Sequence, residues 1–254
     1  MIRAERIYKS FGEHNVLKDI SLTFDTGKNN LIIGRSGAGK TVLLKILVGL
    51  MRPDEGTIWY DDVEFSRLNK RQLKTVRMQV GMLFQGSALF DSMTVEENVR
   101  FPLDMFTAQT KKEKDMRVNW CLERVNLAGN NIKFPSEISG GMQKRVGIAR
   151  AIVLNPKYLF CDEPNSGLDP KTSILIDELI NSITEENHIT TIINTHDMNS
   201  VMEIGENIAL LHQGRVAWIG NKESVLHSDN PEMEDFVFAS PFLQRLRDQA
   251  AGNS

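Results

Sequence analysis

The sequence predicts an α/β fold: a largely parallel sheet covered by helices, an antiparallel β part at the N-terminal side, and an inserted helical stretch. Three observations carry this. Short apolar runs such as "NLIIG", "YLFCDE" and "TTIINT" alternate with helical segments such as "KTSILIDELINSITEEN", the pattern of strand–helix–strand units. The chain opens instead on "RIYKSF" and "VLKDISLTF", strand-length segments separated by polar turns with no helix between them. From about residue 94 the strands stop, and three amphipathic segments follow one another. A helical subdomain at roughly 86–156 is therefore expected inside the α/β core.

Taken in order, "NLIIG" is a buried-strand pattern followed at once by "RSGAGKTVLLKILVGL". There Val42, Leu43, Ile46, Leu47 and Leu50 recur at helical spacing. "TIWY" and "VGMLF" read as further strands. "TVEENVRFPL", "TKKEKDMRVNWCLERVNL" and "GGMQKRVGIARAIVLN" are the three helices of the insertion. "YLFCDE", "TTIINT", "IALLHQG" and "RVAWIG" return to strands. This core is expected over residues 1–227. Past Pro231, "PEMEDFVFASPFLQRLRDQ" no longer follows the core pattern, so residues 228–254 read as a partly helical C-terminal extension.

At 254 residues the chain is long enough for one large domain with an inserted subdomain. Its 41% apolar and 25% charged content is that of a globular protein. A net charge of -3 argues against non-specific nucleic-acid binding, and no nucleic-acid partner is expected. Cys121 and Cys161 form neither a disulfide framework nor a metal knuckle, which suits a reducing compartment. The five histidines show no ligand spacing for zinc. No stretch approaches the ~18–20 apolar residues that span a bilayer. The start, "MIRAERIYKSFG", lacks the apolar region of a signal peptide. A cytoplasmic location is expected, with any membrane role coming through a partner.

The chemistry begins at "GRSGAGKT": Gly34, Arg35, Ser36, Gly37, Ala38, Gly39, Lys40 and Thr41. This fits the P-loop pattern G-x-x-x-x-G-K-S/T in full, between the strand and the helix that the motif requires. Its glycines let backbone N–H groups close around phosphate oxygens, and the helix presents its positive end. Lys40 can neutralise the β- and γ-phosphates and the Thr41 hydroxyl can ligate Mg²⁺, so ATP and Mg²⁺ are the expected ligands. "YLFCDE" supplies the acidic partners. Asp162 would hold Mg²⁺, and Glu163 would orient and polarise the attacking water. The core is thus a RecA-like P-loop NTPase core.

A second anion site follows in "EISGGMQKRVGIARA", where Ser139, Gly140 and Gly141 precede a helix. With this ordered set of motifs, the sequence resembles the nucleotide-binding subunits of ABC transporters over essentially residues 1 to 227. The resemblance implies an ABC ATPase working as a homodimer, in which the "SGG" signature of one protomer caps the ATP on the other's P-loop. It implies that Phe11 stacks on adenine and that Gln85 is the Q-loop glutamine, sensing Mg²⁺ and water. It likewise makes His196 in "NTHD" the switch histidine at the γ-phosphate and "SGLD", ending at Asp169, the D-loop at the dimer interface. Taken singly, Phe11 fits a core position and His196 a cap before the "DMNS" helix. Met142, Ile138 and Asn165 depart from the commonest residues at their positions, but none removes a phosphate donor or a carboxylate.

Within the family, "FQGSALFDSMTVEENVRFPL" and "SGGMQKRVGIARAI" resemble the ATPase subunits of Mla/Mce-type lipid transporters. That implies phospholipid cargo moved between inner and outer membranes, a permease, an Mce-domain lipid-binding protein in the same complex, and a site on the cytoplasmic face of the inner membrane. It also implies a C-terminal tail packing on the neighbouring protomer. A non-transport complex of cell-division or lipoprotein-release type is the alternative, and a soluble ABC protein of DNA repair or translation a more distant one. The loop "LFQGSALFDSM" places Leu89 and Phe90 among small residues without strand or helix periodicity. They either fold back as packing or help line the groove for the permease's coupling helix.

Overall fold

The structure, a computed structural model, describes residues 1–225 and 227–237. Strands β1 (Ile2–Phe11) and β2 (His14–Phe24) pair antiparallel. β3 (Asn29–Ile33) is buried at every position, as a strand covered on both faces must be, and leads through the glycine loop into α1 (Lys40–Leu47). β4 (Glu55–Tyr60) and β5 (Val63–Glu64) complete an antiparallel sheet of order β2-β1-β4-β5. Next come α2 (Lys70–Arg77) and β6 (Val80–Leu83). The insertion follows as α3 (Val95–Phe106), α4 (Lys111–Arg124) and α5 (Gly140–Ile152). The core resumes with β7 (Tyr158–Asp162), α6 (Pro170–Asn187), β8 (Thr190–Thr195), α7 (Met198–Ile204), β9 (Asn207–His212) and β10 (Arg215–Gly220). Two short helices close the described chain, α8 (Lys222–Val225) and α9 (Pro231–Val237).

The second sheet has the order β10-β9-β3-β8-β7-β6 and is parallel from β9 to β6, with β10 antiparallel on the edge. It separates two apolar cores, because successive side chains of a strand point to opposite faces. Leu31, Ile33, Leu159, Cys161 and Ile193 face the helices of the insertion and α6. Ile32, Phe160 and Ile192 face α1 and the antiparallel sheet. α3 and α4 each open on a capping box, Thr94 with Glu97 and Thr110 with Glu113, which satisfies the first free N–H groups. Both cysteines are free and buried; burial pushes the Cys121 thiol up to about 11 and that of Cys161 higher still.

The expected architecture is observed, with local differences. α1 ends at Leu47, since Gly49 takes a left-handed φ of 77°, and Leu50 lies beyond it, exposed. Helix α2 has no counterpart in the sequence reading: it buries none of its described side chains, so no apolar stripe announces it. Its signal is the capping pair Asn69 and Gln72. Of the expected C-terminal extension, residues 228–237 are described; the remainder lies outside the described residues. Met233 and Val237 of α9 are buried on this same chain, and Asp235 pairs with Arg35 at 2.9 Å.

Candidate nucleotide site

The site forms where β3, β7 and β8 end side by side. β3 delivers the loop Gly34–Gly39. Gly39 caps α1 at φ 103°, and a Cβ there would meet the Leu17 side chain at 2.8 Å, so the loop's close approach requires glycine. The first turn of α1 carries no acidic side chain, which keeps its positive end available to an anion. Arg35, Ser36 and Gly37 are exposed, whereas Ala38 is buried and its N–H donates to the Arg35 carbonyl. Lys40 is buried; its Nζ donates to the Gly34 carbonyl (2.7 Å) and lies 3.8 Å from Glu163 Oε1. Burial lowers the Lys40 pKa, and the charges of Glu163 and Asp162 oppose that shift.

The carboxylates come from β7. Thr41 Oγ1 donates to Asp162 Oδ1 at 3.3 Å, and Asn194 Nδ2 donates to the same oxygen at 3.1 Å. Parallel pairing of β7 with β8 sets Asp162 opposite Asn194, which places His196 close by. Glu163 takes a left-handed φ of 51°, and its N–H donates to the Asn194 carbonyl at 2.9 Å. Its Oε2 sits 2.7 Å from His196 Nδ1. Glu163 is thus mostly shielded while the imidazole is largely in solvent. Phe11 ends β1 about half exposed, with Lys9 Nζ 5.6 Å from its ring centroid. Lys9 lies over one face of the ring, and the rest of its surface is exposed enough for a flat ring to stack on.

Other expected residues lie elsewhere. Ser139 caps α5 by accepting from the Met142 N–H at 3.3 Å. With Gly140, Gly141, Asp169 and Arg145 it lines a cleft of about 890 Å³ in which no P-loop residue takes part. Asp169 caps α6, and its hydrogen bonds from the Thr172 hydroxyl and N–H hold its carboxyl below the usual range. The Gln85 amide donates to Ser166 Oγ at 3.5 Å, at the segment leading to Asp169 rather than at Thr41 and Asp162.

The loop after Gln85 is held by its backbone. Buried Asn98 accepts from the Phe90 N–H and donates to the carbonyls of Phe90, Met93 and Thr94. Arg150 donates to those of Ser87 and Ala88. Leu89 packs partly on the core, and Phe90 remains 41% exposed against Phe101.

Sequence reasoning missed a buried triad behind the site. Asn165 Nδ2 donates to Asp177 Oδ2 and to Ser200 Oγ, each at 2.9 Å, and Ser200 Oγ donates to the same Asp177 oxygen at 2.8 Å. This gives the unusual Asn165 a task, tying the segment after Glu163 to α6 and α7. Burial raises the Asp177 carboxyl to about 6, helped by Asp197 and Glu203 and opposed by its two hydrogen bonds. A carboxyl raised from 3.8 to about 6 binds its proton more tightly in the folded chain. Its contribution is therefore full below pH 3.8 and is lost as pH rises through about 6. The loss is worth about 3 kcal/mol. Asp177→Asn is expected to flatten that part of the stability–pH curve, read as melting temperature from pH ~4 to ~7. An unchanged slope would assign it to other carboxyls.

A family model described as ABC transporter matches residues 17–166. The chain belongs to the ABC transporter family. This ABC ATPase domain is 40% identical over 238 residues to "Probable ribonucleotide transport ATP-binding protein mkl" of Mycobacterium tuberculosis (strain ATCC 25618 / H37Rv), covering 93% of this chain and 66% of that protein. It is 42% identical over 220 residues to "Methionine import ATP-binding protein MetN" of Carboxydothermus hydrogenoformans, covering 86% of this chain and 65% of that one. The chain thus spans about two thirds of the length of these relatives. Among solved structures, the ATP-binding cassette MJ0796 in a dimeric structure superposes with a TM-score of 0.81 at 33% identity, over 87% of this chain and 99% of that one. A post-hydrolysis dimer of the same cassette, bound to ADP and Pi, gives 0.80 at 32% identity over the same shares. The ABC cassette architecture of this chain is the one its sequence predicts.

Proposed function

We propose that this chain is the ATP-hydrolysing subunit of an ABC transporter that moves phospholipid between the inner and outer membranes. The observation that carries hydrolysis is the convergence of Lys40, Thr41, Asp162, Glu163 and His196 at the ends of three adjacent strands. Phosphate would bind the backbone N–H groups of residues 34–41, with Lys40 Nζ turning from the Gly34 carbonyl to the β- and γ-oxygens. Thr41 Oγ1 and Asp162 are hard oxygen donors that suit Mg²⁺, and the Gln85 side-chain oxygen would join them only by turning from Ser166. Among the described residues no cluster of three His, Cys, Asp or Glu forms a metal cage, so phosphate oxygens and water would complete the shell. The ion supplies neutralisation of charge on the phosphates. Glu163 would orient the attacking water and accept its proton, while His196, donating from Nδ1 to the Glu163 carboxylate, would fix the Glu163 rotamer.

Ser139, Gly140 and Gly141 face a cleft away from this P-loop, which supports a homodimer with each signature over its partner's nucleotide. Among the described residues no helix is long and apolar enough to cross a membrane. The chain would therefore act from the cytoplasmic face of the inner membrane through a permease, with an Mce-domain protein in the same complex. Phospholipid rests on residues 84–103 and Met142. The name of the mycobacterial relative favours a second reading, ribonucleotide transport. Purifying the chain with its permease and analysing bound molecules by mass spectrometry separates the two. Co-purifying phospholipid is expected, and a complex carrying ribonucleotide cargo and no lipid overturns the assignment.

The same complex tests the loop. Phe90 is proposed, with Leu89, to line the groove for the permease's coupling helix. Its exposed ring could contribute roughly 1.5–3 kcal/mol if fully covered. Phe90→Asp is expected to keep the melting temperature and basal hydrolysis of the isolated subunit yet abolish co-purification with the permease. Unfolding of the isolated variant would make Phe90 an ordinary packing residue.

A further inference from the structure

Lys144 lies on α5, five residues past Ser139, and is only 4% exposed. Its neighbours on the buried side of the helix are Val146, Gly147, Ile148 and Ala149, so the amine has given up most of its hydration. A cation so placed requires strong acceptors. It finds two backbone carbonyls from other parts of the fold, those of Gln85 and of Glu163, the latter at 3.4 Å. Both belong to the proposed hydrolytic site. Glu163 is left-handed at this point; its N–H donates to the Asn194 carbonyl, and its own carbonyl accepts from the Ser166 N–H at 3.2 Å as well as from Lys144. Further along the same helix, Arg150 holds the carbonyls of Ser87 and Ala88, both also left-handed. Between them Gly147 abuts Leu83 and Ser87 so closely that a Cβ would stand 2.7 Å from the Leu83 side chain. One helix face thus grips the Q-loop backbone at three carbonyls and reaches the catalytic glutamate at a fourth.

We propose that Lys144 is a positioning residue for hydrolysis: it ties α5 to the backbones of Gln85 and Glu163, so the Glu163 carboxylate is in place only when α5 is seated. The inference rests on the ATPase reading above. Ser139, at the start of α5, stands about 7.5 Å along the helix axis from Lys144. A rigid helix would therefore carry an event at its N-terminus directly to both carbonyls.

The test compares Lys144→Met, Lys144→Arg and wild type in the full chain, measuring kcat, KM for ATP and melting temperature. Lys144→Met keeps the stem but removes charge and donors. It is expected to lower kcat about tenfold or more with KM changed less than about twofold, because binding rests on residues 34–41. Lys144→Arg, which can still reach carbonyls with a permanent charge, is expected to recover most of kcat. A Lys144→Met kcat within twofold of an active wild type overturns the proposal. So does a loss of kcat that tracks the loss of folded protein in both variants. Wild-type protein without ATPase activity would instead overturn the functional reading, and this one with it.

Discussion

Glu163→Gln is expected to lower ATP turnover on the order of 10²-fold or more while leaving nucleotide affinity close to wild type. Glutamine has the same shape and keeps a polar atom toward His196 Nδ1, so the 2.7 Å contact has a neutral successor. What disappears is the negative charge that lies 3.8 Å from Lys40 Nζ and the capacity to accept a proton from water. On the proposed reading, binding depends on the loop backbone and Lys40, which the substitution leaves in place, so the defect should fall on the chemical step. ATP should then persist at the site, and the variant should accumulate as an ATP-bound dimer in size-exclusion chromatography. Steady-state hydrolysis and a nucleotide-binding titration together check this. Turnover equal to wild type would remove Glu163 from the mechanism.

That glutamate was legible in the sequence because its context is local. An apolar strand, two acidic residues and a preceding P-loop all declare themselves within short windows. The buried strands were legible in part for the same reason: β3, β7 and β8 are buried at every position, which the apolar residues of β7 announce but the threonines and asparagine of β8 do not. Residues whose role depends on a distant partner were not. Asn194 reads as one polar residue in "TTIINT" until β7 pairs with β8 and sets it opposite Asp162. Asn165 looked like a departure from pattern, although its amide donates to both Asp177 and Ser200, which are themselves hydrogen-bonded. Lys144 reads as a surface cation between a glutamine and an arginine. Only the seat of α5 against the Q-loop buries it. The loop at Phe90 stayed ambiguous for another reason: its order comes from Asn98, a side chain inside the following helix, rather than from any periodicity of its own.

Within the expected site, Ser139 stands apart from the P-loop. Its cleft contains Gly140, Gly141 and Asp169 but no residue of the P-loop, so the two halves proposed to bind phosphate face different spaces in one chain. A dimer joining the halves predicts that Ser139→Arg abolishes hydrolysis while monomeric chains still bind ATP. The substitution forfeits the cap on α5, about 1 kcal/mol, which a folded domain tolerates. Lys40→Ala should be inactive through the other half, at the β- and γ-phosphates. Mixing the two variants is decisive. A mixed dimer carries both defects at one site and none at the other, so random pairing should restore about a quarter of wild-type turnover if the sites act independently. A wild-type and Lys40→Ala mixed dimer, isolated through two affinity tags, reports whether a single intact site suffices. If it is active and the Ser139→Arg with Lys40→Ala dimer is silent, the two halves do not meet across an interface, and each chain hydrolyses ATP alone.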